Sequence, residues 1–203
     1  MRYAIIPAGG HSTRMGRPKL SLPLGNQTVL ERVITTLREG GVAEALVVIG
    51  PHVPELVELA QQAGAHTCLL AESTPDMRAT VEAGLHWLEQ RFAPQPHEAW
   101  LLVPADHPTL DPSIIRTLEE AQRQHPECSV FIPTFQGQRG HPTALRWKHV
   151  PGIRQHPRGE GLNLYLRQQH AEIREVAVSC PDILCDLDTP ADYERVRGQR
   201  EKP

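Results

Sequence analysis

The stretch Ile5-Ile6-Pro7-Ala8-Gly9-Gly10-His11-Ser12-Thr13-Arg14-Met15-Gly16-Arg17-Pro18-Lys19 constrains this chain more than any other. Residues Arg2 to Ile6 are rich in β-branched and aromatic side chains and read as a buried first strand. That strand runs into a loop with glycines at 9, 10 and 16 and cations at 14, 17 and 19, joined by His11 when protonated. Small residues let the backbone approach a ligand closely and turn its N–H groups toward it. Arginine adds a planar fork for phosphate oxygens and lysine a mobile point charge, a combination suited to a triphosphate. A glycine-rich turn with solvated charges would have the same composition. Two common nucleotide loops are excluded. Lys19 does not directly follow a glycine and has no Ser or Thr after it, so this is not a Walker A loop. Nor is there a G-x-G-x-x-G, so a dinucleotide site is unsupported.

A chain of 203 residues suits one domain with a full core. The net charge of −3 gives no basic footprint, so nucleic acid is not an expected partner. No apolar run is long enough to span a bilayer, and the first residues carry no signal-peptide pattern. A cytoplasmic location, as a monomer or weak oligomer, is expected. The cysteines at 68, 128, 180 and 185 form no C-x-x-C, which favours reduced core residues over a zinc site or a disulfide framework.

Taken in order, strand and helix patterns alternate. Thr28 to Glu39 reads as a helix with a Thr28/Glu31 capping box and an apolar stripe at Val29, Val33 and Leu37. Ala45 to Ile49 reads as a buried parallel strand, Pro54 to Ala63 as a helix, His66 to Leu70 as a strand and 76–90 as a helix. Trp100 to Val103 is a fourth strand, Asp111 to Gln124 a helix capped by Asp111 with Pro112 in its first turn, and Ser129 to Pro133 a further strand. This predicts an α/β fold, a mostly parallel twisted sheet with helices on both faces and right-handed crossovers. From Thr134 the pattern changes. A turn over 136–140, a returning strand from His141 to Leu145, a polar loop over 158–161, a short helix at Leu162 to Gln169, a strand at Ile173 to Val178 and a last strand at Ile183 to Leu187 suggest a small antiparallel extension. Thr189 and Pro190 open a final helix, and the charged tail from Arg195 to Pro203 is expected to fray. A single domain over 1–203 is expected, its pattern changing between 1–133 and 134–203.

Ligands of such sheets sit outside the carboxyl ends of the strands. The 9–19 loop and Asp106 both fall there, so they can share one crevice. Asp106, before His107-Pro108, is either a turn residue or a Mg²⁺ ligand, since Mg²⁺ takes one or two carboxylates plus substrate phosphates. Asp186-Leu187-Asp188-Thr189-Pro190-Ala191-Asp192 reads locally as a helix start.

With these residues in view, the 7–19 stretch resembles the N-terminal signature of nucleotidyltransferases with a glycosyltransferase-A-like fold. It is most similar to the molybdenum cofactor cytidylyl- and guanylyltransferase group. Gly10, Ser12, Arg14, Met15, Gly16 and Lys19 match, while Pro7 and Gly9 depart from the usual Leu and Ala. Asp106-His107-Pro108 resembles the family's Asp-x-Pro, Gly140-His141-Pro142 its Gly-His-Pro, and 186–192 its Asp-Ile-Asp-Thr-Pro-x-Asp. The segment 76–85 is similar to a family stretch near base and ribose, with Thr80 in place of a serine. Gly159-Glu160-Gly161 stands where Gly-Asp-x-Gly is usual.

The resemblance implies transfer of a nucleotidyl group from a nucleoside triphosphate, CTP favoured, to a phosphorylated acceptor such as a molybdopterin-type cofactor, with release of pyrophosphate. It implies Mg²⁺ held by Asp106 and Asp188, with Asp186 as the fallback. Arg14 and Lys19 would act on the triphosphate. Pro7, Ala8, Gly9, Gly10, Ser12 and Thr80 would bind the nucleotide, and Gly140, His141 and Pro142 the acceptor. His141 would bind substrate, serve as a base, or be structural. A GTP-using or sugar-phosphate transferase and a non-catalytic nucleotide-binding regulator are the alternatives.

Overall fold

In the computed structural model, which describes residues 1–200, the first strand β1 spans Tyr3–Ala8. Its side chains alternate between two apolar layers. Ala4, Ile6 and Ala8 enter one core, while Tyr3 and Ile5 enter the other. The strand β4, Glu44–Ile49, divides the same way, with Ala45, Val47 and Ile49 opposite Leu46 and Val48. A strand covered on both faces has no polar side to display, which is why these runs are continuously apolar.

Between them, Pro23–Leu24 (β2) and Gln27–Thr28 (β3) form a two-stranded antiparallel sheet that the sequence pattern did not reveal. Thr28 then caps helix α1, Val29–Glu39, through the expected reciprocal box with Glu31. Helix α2 (Leu56–Gln62), strand β5 (His66–Leu69), helix α3 (Met77–Phe92), strand β6 (Ala99–Leu102) and helix α4 (Pro112–Gln124) follow. Strands β7 (Val130–Phe135), β8 (Gln138–Arg139) and β9 (Thr143–Arg146) come next, then a short 3₁₀ turn at Trp147–His149 and helix α5, Val150–Gln155. Helix α6 (Leu162–Gln168), strand β10 (Ile173–Ala177) and helix α7 (Pro190–Arg200) complete the chain.

The main sheet runs β10-β7-β9-β6-β1-β4-β5, with β8 paired to β7. Every neighbouring pair on that path is parallel except those made by β9, which is antiparallel to both β6 and β7. The antiparallel part is therefore not only an appendage: one reversed strand sits inside the sheet and joins the two groups of parallel strands. Helices α1, α2, α4 and α7 cover one face, through Val33, Leu56, Ile115 and Tyr193 among others. Helices α3, α5 and α6 cover the other, through Leu85, Ile153 and Leu166.

Three expectations are corrected. The strand expected at Ile183–Leu187 is a 3₁₀ turn at Pro181–Leu184 followed by extended chain. Pro181 starts the turn, and the segment makes isolated bonds, His141 N to Ile183 O at 2.9 Å and Leu187 N to Asp106 O at 2.9 Å, instead of a ladder. The strand expected from His141 begins at Thr143, after His141 and Pro142, which are joined by a cis peptide bond. The tail expected to fray from Arg195 continues α7 to Arg200; positions 201–203 lie outside the described residues. The four cysteines are free thiols. Among the described residues no helix is long and apolar enough to cross a membrane.

Candidate active site

A cleft of about 480 Å³ opens beyond the carboxyl ends of β1 and β6. Pro7, Ala8, Gly9 and Gly10 form its floor, and Ser12, Arg14 and Lys19 come from the loop that follows. The loop is pinned from below. Met15 and Leu20 are buried in the core, and the amides of Met15 and Gly16 donate to Ser12 O at 3.0 and 3.2 Å. With those anchors sunk, Arg14 is left exposed at the rim. Thr80 and the first turn of α3 also line it, as do Asp106 and Asp188.

Lys19 organises the charges. Its ammonium donates to Asp106 Oδ2 at 2.6 Å and to Asp188 Oδ1 at 2.9 Å, and Arg14 pairs with the other oxygen of Asp188. The Lys19 side chain is 14% exposed and each aspartate side chain 21%, so these charges interact through a medium less screening than water. Burial pulls the lysine pKa down, but the hydrogen bonds and charges of the two aspartates outweigh it, and Lys19 titrates above the usual lysine value.

Chain geometry explains why aspartates far apart in sequence meet. Asp106 ends the extension of β6, whose Val103 N still bonds Ile5 O at 3.0 Å. Leu187 is fully buried and its amide bonds the carbonyl of Asp106 itself, so the next residue, Asp188, turns into the cleft. Asp186, on the other side of Leu187, is exposed and does not line the cleft. Thr189 and Asp192 bond each other reciprocally at the start of α7, which fixes the direction of the chain beyond Asp188.

Gly140, His141 and Pro142 do not line this cleft. They lie behind Asp106, where the ring of His141 meets that of buried His107 edge-on at 5.5 Å. Burial, reinforced by the neighbouring His107, lowers His141 to a pKa of about 4. Burial likewise lowers His107, against the opposing charges of Asp106 and Asp186. Both rings are neutral at pH 7, and the Nδ1 atom of each is buried without a hydrogen-bond partner. Gly140 is needed for packing, because a Cβ there would stand 2.4 Å from Ile183 O.

Asp76 and Met77, from the 76–85 segment, also line the cleft, as does Thr74, which was not singled out from the sequence. The carboxylate of Asp76 accepts from Ala79 N at 2.8 Å and caps α3, which reads locally as a helix start and nothing more. Met77 is 53% exposed, an apolar side chain held out at the cleft wall. Gly9 faces Thr80: a Cβ at Gly9 would lie 3.3 Å from the Thr80 hydroxyl. Among the described residues no group of three or more His, Cys, Asp or Glu is placed to hold a metal. Asp106 and Asp188 nevertheless converge on one cation, the Lys19 ammonium. Two oxygen donors beside a cleft open to phosphates suit a hard divalent ion that takes its remaining ligands from substrate and water.

The mostly parallel sheet, the glycine-rich loop with its cations and the paired carboxylates beyond the carboxyl ends of its strands make up the candidate site of an α/β protein. A family model for the MobA-like NTP transferase domain matches residues 4–174, and the chain belongs to that family of nucleotidyltransferases. Solved structures agree on the fold. A nucleotidyl transferase from Methanothermobacter thermautotroptrophicus is similar at 24% identity and a TM-score of 0.77, over 98% of this chain and 97% of that one. Rv0371c from Mycobacterium tuberculosis H37Rv is similar at 21% identity and a TM-score of 0.81, over 98% of each chain. A second structure of that protein, at 20% identity and a TM-score of 0.71 over 97% of each chain, is a complex with manganese. A CMP:2-keto-3-deoxy-manno-octonic acid synthetase complexed with CTP is similar at 18% identity and a TM-score of 0.73, over 98% of each chain.

Proposed function

We propose that this protein transfers a nucleoside monophosphate from a nucleoside triphosphate, CTP in preference to GTP, to a small phosphorylated acceptor. A molybdopterin-type cofactor is the acceptor that the family resemblance implies. The observation that carries the proposal is the convergence of Lys19 and Arg14 on Asp106 and Asp188 under a glycine-rich loop, in one cleft. The CTP-bound synthetase with the same fold supports the choice of nucleotide, and the manganese complex of Rv0371c supports a divalent metal, taken here as Mg²⁺.

The chain's own groups account for most of the chemistry. The backbone over 8–10 lets the nucleotide approach closely, and Thr80 opposite Gly9 limits the space for base and ribose. Lys19 and Arg14 take the triphosphate oxygens, and their charges oppose the negative charge that grows on the phosphoryl group and on the departing pyrophosphate. The acceptor phosphate oxygen attacks the α-phosphorus in line, so positioning does much of the work and no covalent intermediate with the protein is required. Asp106 and Asp188 would hold the metal, which when bound neutralises triphosphate charge.

Thermal unfolding with each of the four common nucleoside triphosphates, with and without Mg²⁺, tests this reading. A ligand at 100 times its Kd stabilises the folded state by about 2.7 kcal/mol, so the preferred nucleotide should give the largest upward shift, and only with Mg²⁺ present. Absence of any nucleotide-dependent shift, or an equal shift from all four, would count against it.

A further inference from the structure

Arg78 is the second residue of α3, yet its side chain is only 7% exposed. Its Nε donates to Glu82 Oε1 at 2.8 Å, a local contact. The rest of the guanidinium reaches 78 to 82 residues along the chain. Nη1 donates to the carbonyls of Pro157 at 2.7 Å and Glu160 at 2.9 Å, and Nη2 to that of His156 at 3.1 Å. A buried guanidinium is costly unless its donors are matched, and here three of its partners are main-chain oxygens of a single turn.

That turn has no regular structure of its own. Glu160 N closes it on Pro157 O at 3.3 Å, and Gly159 takes a φ of +82°, open to glycine without a Cβ penalty. His156 Nε2 lies 3.1 Å from Glu160 Oε2 across its base. Arg78 thus ties it to α3, while buried His156 packs edge-on against Tyr165 at 5.7 Å, and Arg158 at the tip is exposed.

The same turn of α3 forms part of the cleft. Asp76, Met77 and Thr80 line it, and the Thr80 hydroxyl is bonded to Thr74 Oγ1 at 2.5 Å and to Asp76 O at 3.3 Å. Residues 76–80 therefore face the nucleotide pocket through one set of side chains and the 156–160 turn through Arg78. We infer that Arg78 is a positioning residue that couples occupation of the nucleotide cleft to the ordering of the 156–160 turn. The inference rests on the nucleotide-binding reading above. It needs no contact between Arg78 and nucleotide, only that the first turn of α3 be firmer when the cleft is filled.

Hydrogen exchange followed by mass spectrometry tests it, with CTP or GTP and Mg²⁺ as the probes. In the unaltered protein nucleotide should slow exchange both in the 9–19 loop and over 156–161, the latter on the order of fivefold or more. In Arg78→Met the 9–19 loop should still respond and 156–161 should not. Arg78→Lys, the gentler change should the methionine variant fold poorly, keeps the charge but loses the fork, and should behave the same way. The inference is overturned if 156–161 responds fully in either variant, or if it fails to respond in the unaltered protein while 9–19 does. If 9–19 itself does not respond there, the nucleotide reading fails, and this inference with it.

Discussion

Replacing Gly140 by alanine should damage the active site from behind. The added methyl would stand 2.4 Å from Ile183 O, 2.8 Å from the carbonyl carbon and 2.8 Å from Ile183 Cβ. Carbon atoms in comfortable contact are about 3.5–4.0 Å apart, so the two backbones would have to separate by close to 1 Å. Neither side can yield by a rotamer change, because the obstacle is main chain. Overpacking of this kind costs about 1–3 kcal/mol. The adjacent bond from His141 N to Ile183 O, 2.9 Å long, would break as the backbones part, adding about 0.5–1.5 kcal/mol. The expected destabilisation is roughly 1.5–4.5 kcal/mol, read as a lower midpoint in urea by tryptophan fluorescence. Ile183 belongs to the strap that carries Asp188, so the Mg²⁺-dependent part of nucleotide affinity should fall as well, by about tenfold if the misplacement costs near 1.4 kcal/mol. A Gly140→Ala protein with unchanged urea midpoint and unchanged Mg²⁺-dependent affinity would refute the packing argument.

Lys19→Ala and Arg14→Ala should each weaken triphosphate binding by about 1.5–3 kcal/mol, the worth of a charge-assisted contact, measurable by calorimetric titration; unchanged affinity in both would remove the loop from the phosphate site. Gly9→Ala places a methyl 3.3 Å from the Thr80 hydroxyl, tight enough to shift the wall, and should alter the CTP to GTP affinity ratio, whereas an identical ratio would put base selection elsewhere. Burial lowers His141 to about 4, so the folded state binds fewer protons there than the unfolded chain below pH 6.5. Stability from this group is fully present above pH 6.5 and is lost as pH falls through that value toward 4, by about 2 kcal/mol between pH 7 and pH 5. His141→Gln should flatten that part of the pH–stability profile, and an unaltered slope would argue against the buried neutral ring.

Much of this architecture is readable from local chemistry. The capping box of Thr28 and Glu31, the Asp111–Pro112 start of α4 and the Thr189–Pro190 start of α7 all occur where the side chains call for them. The loop after β1 is legible through its match to the family signature at Gly10, Ser12, Arg14, Met15, Gly16 and Lys19. What escaped depends on partners remote in sequence. The turn over 136–140 predicts a returning strand from His141 to Leu145, but not that the strand, Thr143–Arg146, slots between β6 and β7. Helix α5 contains Pro151 and Gly152 and looks like a loop, yet Val150 and Ile153 draw it onto the second core. Ile183 and Leu187 are both buried, as in a strand, but Pro181 and the close approach of Gly140 make them two ends of a strap. Arg78 looks like surface charge on a helix, and only the return of 156–160 buries it.

The central claim is that Asp106 and Asp188, and not Asp186, hold the metal that accompanies the nucleotide. Calorimetric titration of CTP and GTP into the unaltered protein, Asp188→Asn and Asp186→Asn, each with and without Mg²⁺, tests it most directly. Asparagine keeps the shape and removes the charge, so the folds should survive. The account predicts that Mg²⁺ tightens nucleotide binding in the unaltered protein and in Asp186→Asn, and does so little or not at all in Asp188→Asn. A full Mg²⁺ gain in Asp188→Asn, or its loss in Asp186→Asn alone, would contradict the assignment of the second carboxylate and the site built on it.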